Sequence, residues 1–196
     1  MNPSPYKDLR SEFFKKYFEA GAKYDEYVAS GSESEQSKWR GYEELVALSD
    51  SNKSIVENFK REMNIIVMSG IWCGDCVRQG PIFKAIEDAN SLMRFRFIDN
   101  KQNPELKDEL RLNGAEKVPV VVALSEDFFE VARFGDRHLS VYRKKAETEL
   151  GAACDAGIIP PSAESMETEI SEWVQFFERL QIMLRLAPAL RKRHGD

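Results

Sequence analysis

The chain has 196 residues, 42% of them hydrophobic and 11% aromatic, enough for one domain with a sizeable core and some embellishment. A formal net charge of −5 speaks against a general nucleic-acid binder or a membrane-surface protein. No apolar run approaches the ~20 residues of a membrane span. The opening MNPSPYKDLRSEFFKKYFEA shows neither an apolar export segment nor a cleavage site. The expectation is a cytoplasmic protein whose three cysteines form no disulfide framework.

Residues 6–29 read as one amphipathic helix. Phe13, Tyr17, Ala20, Tyr24 and Tyr27 recur at steps of four and three, and Phe14, Phe18 and Val28 widen that face. Gly21 is its weak point. SGSESEQS, residues 30–37, reads as a polar loop. Helical spacing returns over 38–49 with Trp39, Tyr42, Leu45, Val46 and Leu48. A further helix, capped by Ser51 or Asn52, is expected to run to about Arg61.

The apolar run from Asn64 to Met68 reads as a buried central strand. It passes through Ser69, Gly70 and Trp72 into Cys73-Gly74-Asp75-Cys76, after which helical spacing runs to about Asn90, with Pro81 as a kink. Two cysteines three apart at a helix start can bond to each other. The first then sits against the unpaired N–H groups and positive dipole end of the helix. That environment stabilises a thiolate, the nucleophile of disulfide exchange. Cys73 is therefore the candidate nucleophile and Cys76 the resolving thiol.

Phe95–Asp99 reads as a second strand. A helix opened by Pro104 follows and stops at Asn113-Gly114. Val118–Leu124 reads as a buried strand and Phe128–Phe134 as its antiparallel return, with a helix from His138 to Gly151. Residues 151–163 form a linker rich in small residues and proline. A long helix spans about Glu164 to Ala187, lined by Ile170, Trp173, Phe177, Leu180 and Leu184, with Pro188 near its end and a basic tail beyond. It is expected to dock on the chain's own N-terminal helices; the competing reading is a homodimer through the terminal helices.

Trp72-Cys73-Gly74-Asp75-Cys76, the strand before it and the distant Val118-Pro119 together resemble the thioredoxin superfamily, over roughly Asn64 to Leu150. The resemblance implies an α/β fold: a three-layer α/β/α core around a mixed sheet in the order β-α-β-α-β-β-α, with helical extensions at both ends. The division is a helical extension over 1–62, a core over 63–151, and a linker with the terminal helix over 152–196. It also implies a cis bond at Val118–Pro119 facing the dithiol, with Val118 and Pro119 docking the substrate backbone and Trp72 giving it an apolar contact. The family often opens with a strand for which this sequence has no candidate.

Gly74 and Asp75 stand between the cysteines, where they tune the thiol. Asp75 replaces the family's usual proline, and its charge should raise the Cys73 pKa relative to a neutral residue. Thioredoxins carry a buried aspartate six residues before the first cysteine, paired with a lysine. Here Val67 and Phe95 match those positions, and Glu62 and Arg78 are the ionisable residues weighed in their place. Cys154, His138 and His194 do not complete a metal site with the pair at any recognisable spacing.

The reading is a thiol–disulfide oxidoreductase acting on protein or small-thiol disulfides. It needs no cofactor beyond its own redox-active disulfide and no metal. An external reductase or low-molecular-weight thiol is its electron donor, and neither nucleic acid nor membrane is a partner. The alternative is a binding, adaptor or redox-sensing protein on the same fold, acting through its helical extensions.

Overall fold

The computed structural model describes residues 6–151 and 163–196. Among them the sheet runs in the order β2-β1-β3-β4. β1 (Met63–Ser69) is central and wholly buried. It pairs in parallel with β2 (Met93–Asp99) and antiparallel with β3 (Val120–Ser125), which pairs antiparallel with the edge strand β4 (Glu130–Gly135). This is a thioredoxin-like α/β/α arrangement with a mixed sheet and added helices at both ends. No helix among the described residues is long and apolar enough to cross a membrane.

The helix expected over 6–29 is instead two helices, α1 (Ser11–Ala20) and α2 (Tyr24–Ala29), on opposite faces of the sheet. Between them Ala22 exchanges two backbone hydrogen bonds with Phe97 at 3.0 and 2.8 Å, so the chain crosses the β2 edge as a single antiparallel bridge. This contact occupies the edge where a first strand was missing from the sequence reading. Gly21 makes the crossing possible: a Cβ there would lie 2.7 Å from the Cβ of Arg96. The continuous aromatic stripe is therefore split. Phe14, Tyr17 and Phe18 pack on Ile66, Met68 and Ile98, while Tyr24, Tyr27 and Val28 pack on Ile65, Val67 and Phe97. Alternation along β1 separates the two sets.

The polar stretch 30–37 is not a loop. Ser32 caps α3 (Glu33–Glu43), with Glu35 reaching back to the Ser32 N–H at 2.9 Å, so three of its residues end in a capping box and the rest are helix. Ser49, rather than Ser51 or Asn52, caps α4 (Asp50–Glu57). α5 (Gly74–Ala89) carries Pro81 inside it, and α6 (Pro104–Glu109) opens on its proline.

α7 (Leu139–Gly151) and α8 (Ala163–Leu186) follow β4. The expected linker and Cys154 lie largely or wholly outside the described residues. Trp173 and Phe177 of α8 seat against Phe83 and Phe95, at ring-centroid distances of 4.7 and 5.5 Å. Polar ties fix it to the N-terminal helices: Asn52 donates to Ser171 at 3.0 Å, and Gln181 donates to the Arg61 carbonyl at 2.8 Å. Pro188 does not merely end α8 but begins α9 (Pro188–His194), so the basic tail is helical, with Arg193 and His194 paired to Glu126.

Candidate functional site

The central strand ends at Ser69, and a tight connection delivers Cys73 to the N-cap of α5 with extended backbone angles. The Cys73 N–H donates to the Gly70 carbonyl at 2.9 Å and closes that connection. Trp39 pins it from α3: its indole N–H donates to the Ile71 carbonyl at 2.9 Å, and its ring lies where a Cβ on Gly80 of α5 would be. The N-terminal helices thus hold the loop that presents the dithiol.

The two thiols differ sharply. Cys73 is half-buried and Cys76 is buried, and both are free. Cys73 is pulled from 9.0 to about 7 chiefly by a hydrogen bond from the Cys76 thiol. Burial opposes this, and the backbone N–H groups of Cys76 and Asp75 reinforce it, as a helix N-terminus should. Cys76 is pushed well above 9.0, first by burial and then by the neighbouring Cys73. Its sulfur accepts from the Gly70 N–H at 3.4 Å.

The Val118–Pro119 peptide bond is cis. It faces the pair across the site, the Cys73 thiol donating toward the Val118 carbonyl at 3.7 Å. Trp72, 51% exposed, flanks the opening with Lys101 over its ring at 5.4 Å. The structure thus gathers Trp72, Cys73, Gly74, Asp75, Cys76, Val118 and Pro119 into one place.

Asp75 opposes thiolate formation as expected, but its effect on Cys73 ranks below burial and the hydrogen bonds. Its carboxylate is engaged by Arg78 at 3.0 Å and by Arg137. Arg137 also pairs with Asp136 at 3.2 Å, which in turn holds Lys117 at 3.3 Å and Tyr142. On its other side Arg78 lies 2.9 Å from Glu169 of α8, a buried carboxyl whose pKa is raised by burial against the pull of Arg78.

Arg137, Asp136 and Glu169 were missed from the sequence. They are distant from the motif, and no spacing ties them to it. Of the two substitutes weighed for the buried aspartate–lysine pair, Glu62 precedes β1 at the end away from the dithiol and bonds Arg94 at 2.7 Å. Val67 and Phe95 are buried apolar residues of the core. Arg78 is tied up with Asp75 and Glu169.

A family model described as thioredoxin matches residues 21–146, well over half of the chain. The chain belongs to the thioredoxin family. A comparison with curated proteins found no match. Among solved structures, a protein of unknown function from Pseudomonas aeruginosa is 18% identical, with 84% of this chain and 96% of that one covered at a TM-score of 0.68. An HIV epitope-scaffold is also 18% identical, with 85% and 95% covered at 0.65. At that identity the likeness is one of fold. It extends beyond the family match to most of both chains, so this thioredoxin-fold protein shares its overall architecture with them.

Proposed function

We propose that this thioredoxin-family protein is a thiol–disulfide oxidoreductase that reduces disulfides of protein or small-thiol substrates. One observation carries the reading: a half-buried Cys73 with a pKa near 7 beside a buried Cys76 with a raised one. A nucleophile works best with a pKa near ambient pH, and its resolving partner must stay a thiol until the mixed disulfide has formed.

Cys73 thiolate attacks one sulfur of the substrate, forming a Cys73–substrate bond as the substrate's own S–S bond breaks. The departing thiolate takes up a proton. Cys76 then attacks the Cys73 sulfur, the second substrate thiol leaves with a proton, and the protein is left oxidised by two electrons. An external reductase or low-molecular-weight thiol returns them, so the dithiol is the only redox group the cycle uses. The Val118–Pro119 backbone lies where a bound polypeptide could pair, and Trp72 offers it an exposed apolar surface. A reducing compartment such as the cytoplasm suits a pair that must be regenerated between turnovers.

The test is a redox titration of the purified protein with alkylation at each potential, combined with two variants. A reversible two-electron couple near about −270 mV supports a reductase. Cys73→Ser should abolish reduction of a model disulfide, and Cys76→Ser should accumulate mixed disulfides. Full activity of Cys73→Ser would sink the mechanism.

A second reading rests on α8, whose Ile182, Met183 and Leu186 are exposed. They support a binding or redox-sensing protein acting through its terminal helices, including self-association. Partner capture or dimerisation that survives replacement of both Cys73 and Cys76 by serine would favour it.

A further inference from the structure

Cys76 must lose its proton while it attacks Cys73, yet its sulfur is buried and its thiolate disfavoured. Directly beneath it two hydroxyls stand without hydrogen-bond partners. Ser69 Oγ, at the end of β1, and Tyr27 OH, from α2, are both buried and unpaired. Leaving such groups unmade costs about 1–3 kcal/mol each, so their retention calls for a reason.

Their placement is built. The Ser69 carbonyl accepts from the Asn100 N–H at 2.9 Å, and the next residue's N–H is the one that reaches the Cys76 sulfur. The Tyr27 ring is clamped by stacking on Phe97 at 5.3 Å and by the edge of Trp39 at 5.6 Å. The Ser69 hydroxyl lies close enough to the Cys76 thiol and to the Tyr27 hydroxyl to lower the pKa of each, although neither contact has hydrogen-bond geometry. Burial pushes the Tyr27 hydroxyl far upward, so it stays protonated and can serve as a donor.

We infer that Ser69 is a catalytic residue of the resolving step, donating a hydrogen bond to the Cys76 sulfur as it becomes a thiolate, and that Tyr27 is a positioning residue that donates to Ser69 Oγ and fixes its rotor. The inference rests on the oxidoreductase reading above. With the Gly70 N–H, the developing thiolate then has two donors. The step balances without a further base. The Cys73–Cys76 bond forms as the Cys73–substrate bond breaks, and the proton lost by Cys76 ends on the released substrate thiol, or in solvent where the leaving group, like the nitrobenzoate probe below, departs as a thiolate. Val67 and Phe95, where thioredoxins carry an ionisable pair, are apolar and give the buried sulfur no proton donor, whereas the Ser69 and Tyr27 hydroxyls are unpaired.

The experiment uses the full chain with Cys154→Ser, which removes the third cysteine, and dithiobis-nitrobenzoate as the disulfide. The first coloured thiolate reports attack by Cys73; the second reports resolution by Cys76. Ser69→Ala should lower the ratio of second to first rate about tenfold and move the pH midpoint of the second release upward. Tyr27→Phe, which keeps the ring in the core, should shift both the same way by less. Ser69→Thr should restore the ratio. A ratio and midpoint unmoved in both Ser69→Ala and Tyr27→Phe would overturn the inference and leave the oxidoreductase reading standing. Failure of the parent protein itself to release a second thiolate would instead overturn that reading.

Discussion

On the face of the sheet covered by α1 and α6, the buried side chains are chiefly Phe14, Phe18, Ile66, Met68, Leu106 and Val122, and the charges stay at the rim, where Arg133 bonds Glu109 and Glu130. On the face covered by α2 to α5 and α8, a comparable apolar core surrounds Tyr27, Gln79, His138, Glu169 and Trp173, each of which leaves a buried polar atom unpaired. The dithiol belongs to this second face. One face therefore serves stability, and the other combines stability with a reaction environment. Helices added before and after the core supply most of that environment: Trp39 and Tyr27 from the N-terminal side, Glu169 and Trp173 from α8.

The largest effects should be on stability and nearly equal on the two faces. Phe14→Ala and Trp173→Ala each remove a fully buried aromatic ring, and each should lower the unfolding free energy by about 3–5 kcal/mol in urea titrations. The faces should part in their pH dependence. Trp173 roofs His138, their rings edge to face at 4.5 Å, so its loss admits water to the imidazole. The stability deficit of Trp173→Ala should shrink between pH 7 and pH 5, and that of Phe14→Ala should not. Parallel pH profiles would break the comparison.

A second measurement sharpens the same point. Burial drives the His138 pKa from 6.5 down to about 4, opposed by Glu172 and assisted by Arg78. Between those values the unfolded chain binds a proton that the folded chain refuses. Stability present above pH 6.5 is therefore lost as pH falls, and the loss is complete below about pH 4. The shift corresponds to about 3 kcal/mol. His138→Phe, stacked in the same place on Phe134 at 4.3 Å, should lack this component, so the gap between variant and parent should widen in the variant's favour from pH 6.5 to pH 4. A constant gap over that range would mean that His138 ionises freely.

The dithiol and the core strands were legible in the sequence as local signals, whereas the cis bond at Val118–Pro119 and the mixed sheet followed from the family resemblance. Apolar runs bounded by turn residues marked β1, β2 and β3, and the two cysteines lay within one helical turn. The split of residues 6–29 was not legible, because helical periodicity continues through Gly21; only the approach of Arg96 and Ile98 shows why the chain must cross there. The capping box at Ser32 was readable in principle but hidden inside a polar stretch. The partners of Asp75 were out of reach for a different reason. Arg137 is 62 residues away, and nothing local to either residue announces their pairing. Tyr27 was seen, as one of a row of core aromatics; that its hydroxyl points at the dithiol is a property of the fold.

Asp75 gives the smallest effect and separates the local reading from the tertiary one. Considered alone, a carboxylate beside Cys73 should hold the thiol up. In the structure Arg78 and Arg137 largely answer that charge, and Cys73 sits near 7 in spite of it. Asp75→Asn removes the opposing charge while Arg78 and Arg137 keep their pairs with Glu169 and Asp136, and the loss of that charge favours the thiolate. The Cys73 pKa should move further down, read from the pH dependence of iodoacetamide alkylation in a protein lacking Cys154. Arg137→Met should do the reverse, since it leaves Asp75 less compensated. If both variants moved the thiol in the same direction, the ion pair would be acting through the position of the α5 N-terminus rather than through charge. The face that holds the dithiol would then be tuned by packing alone.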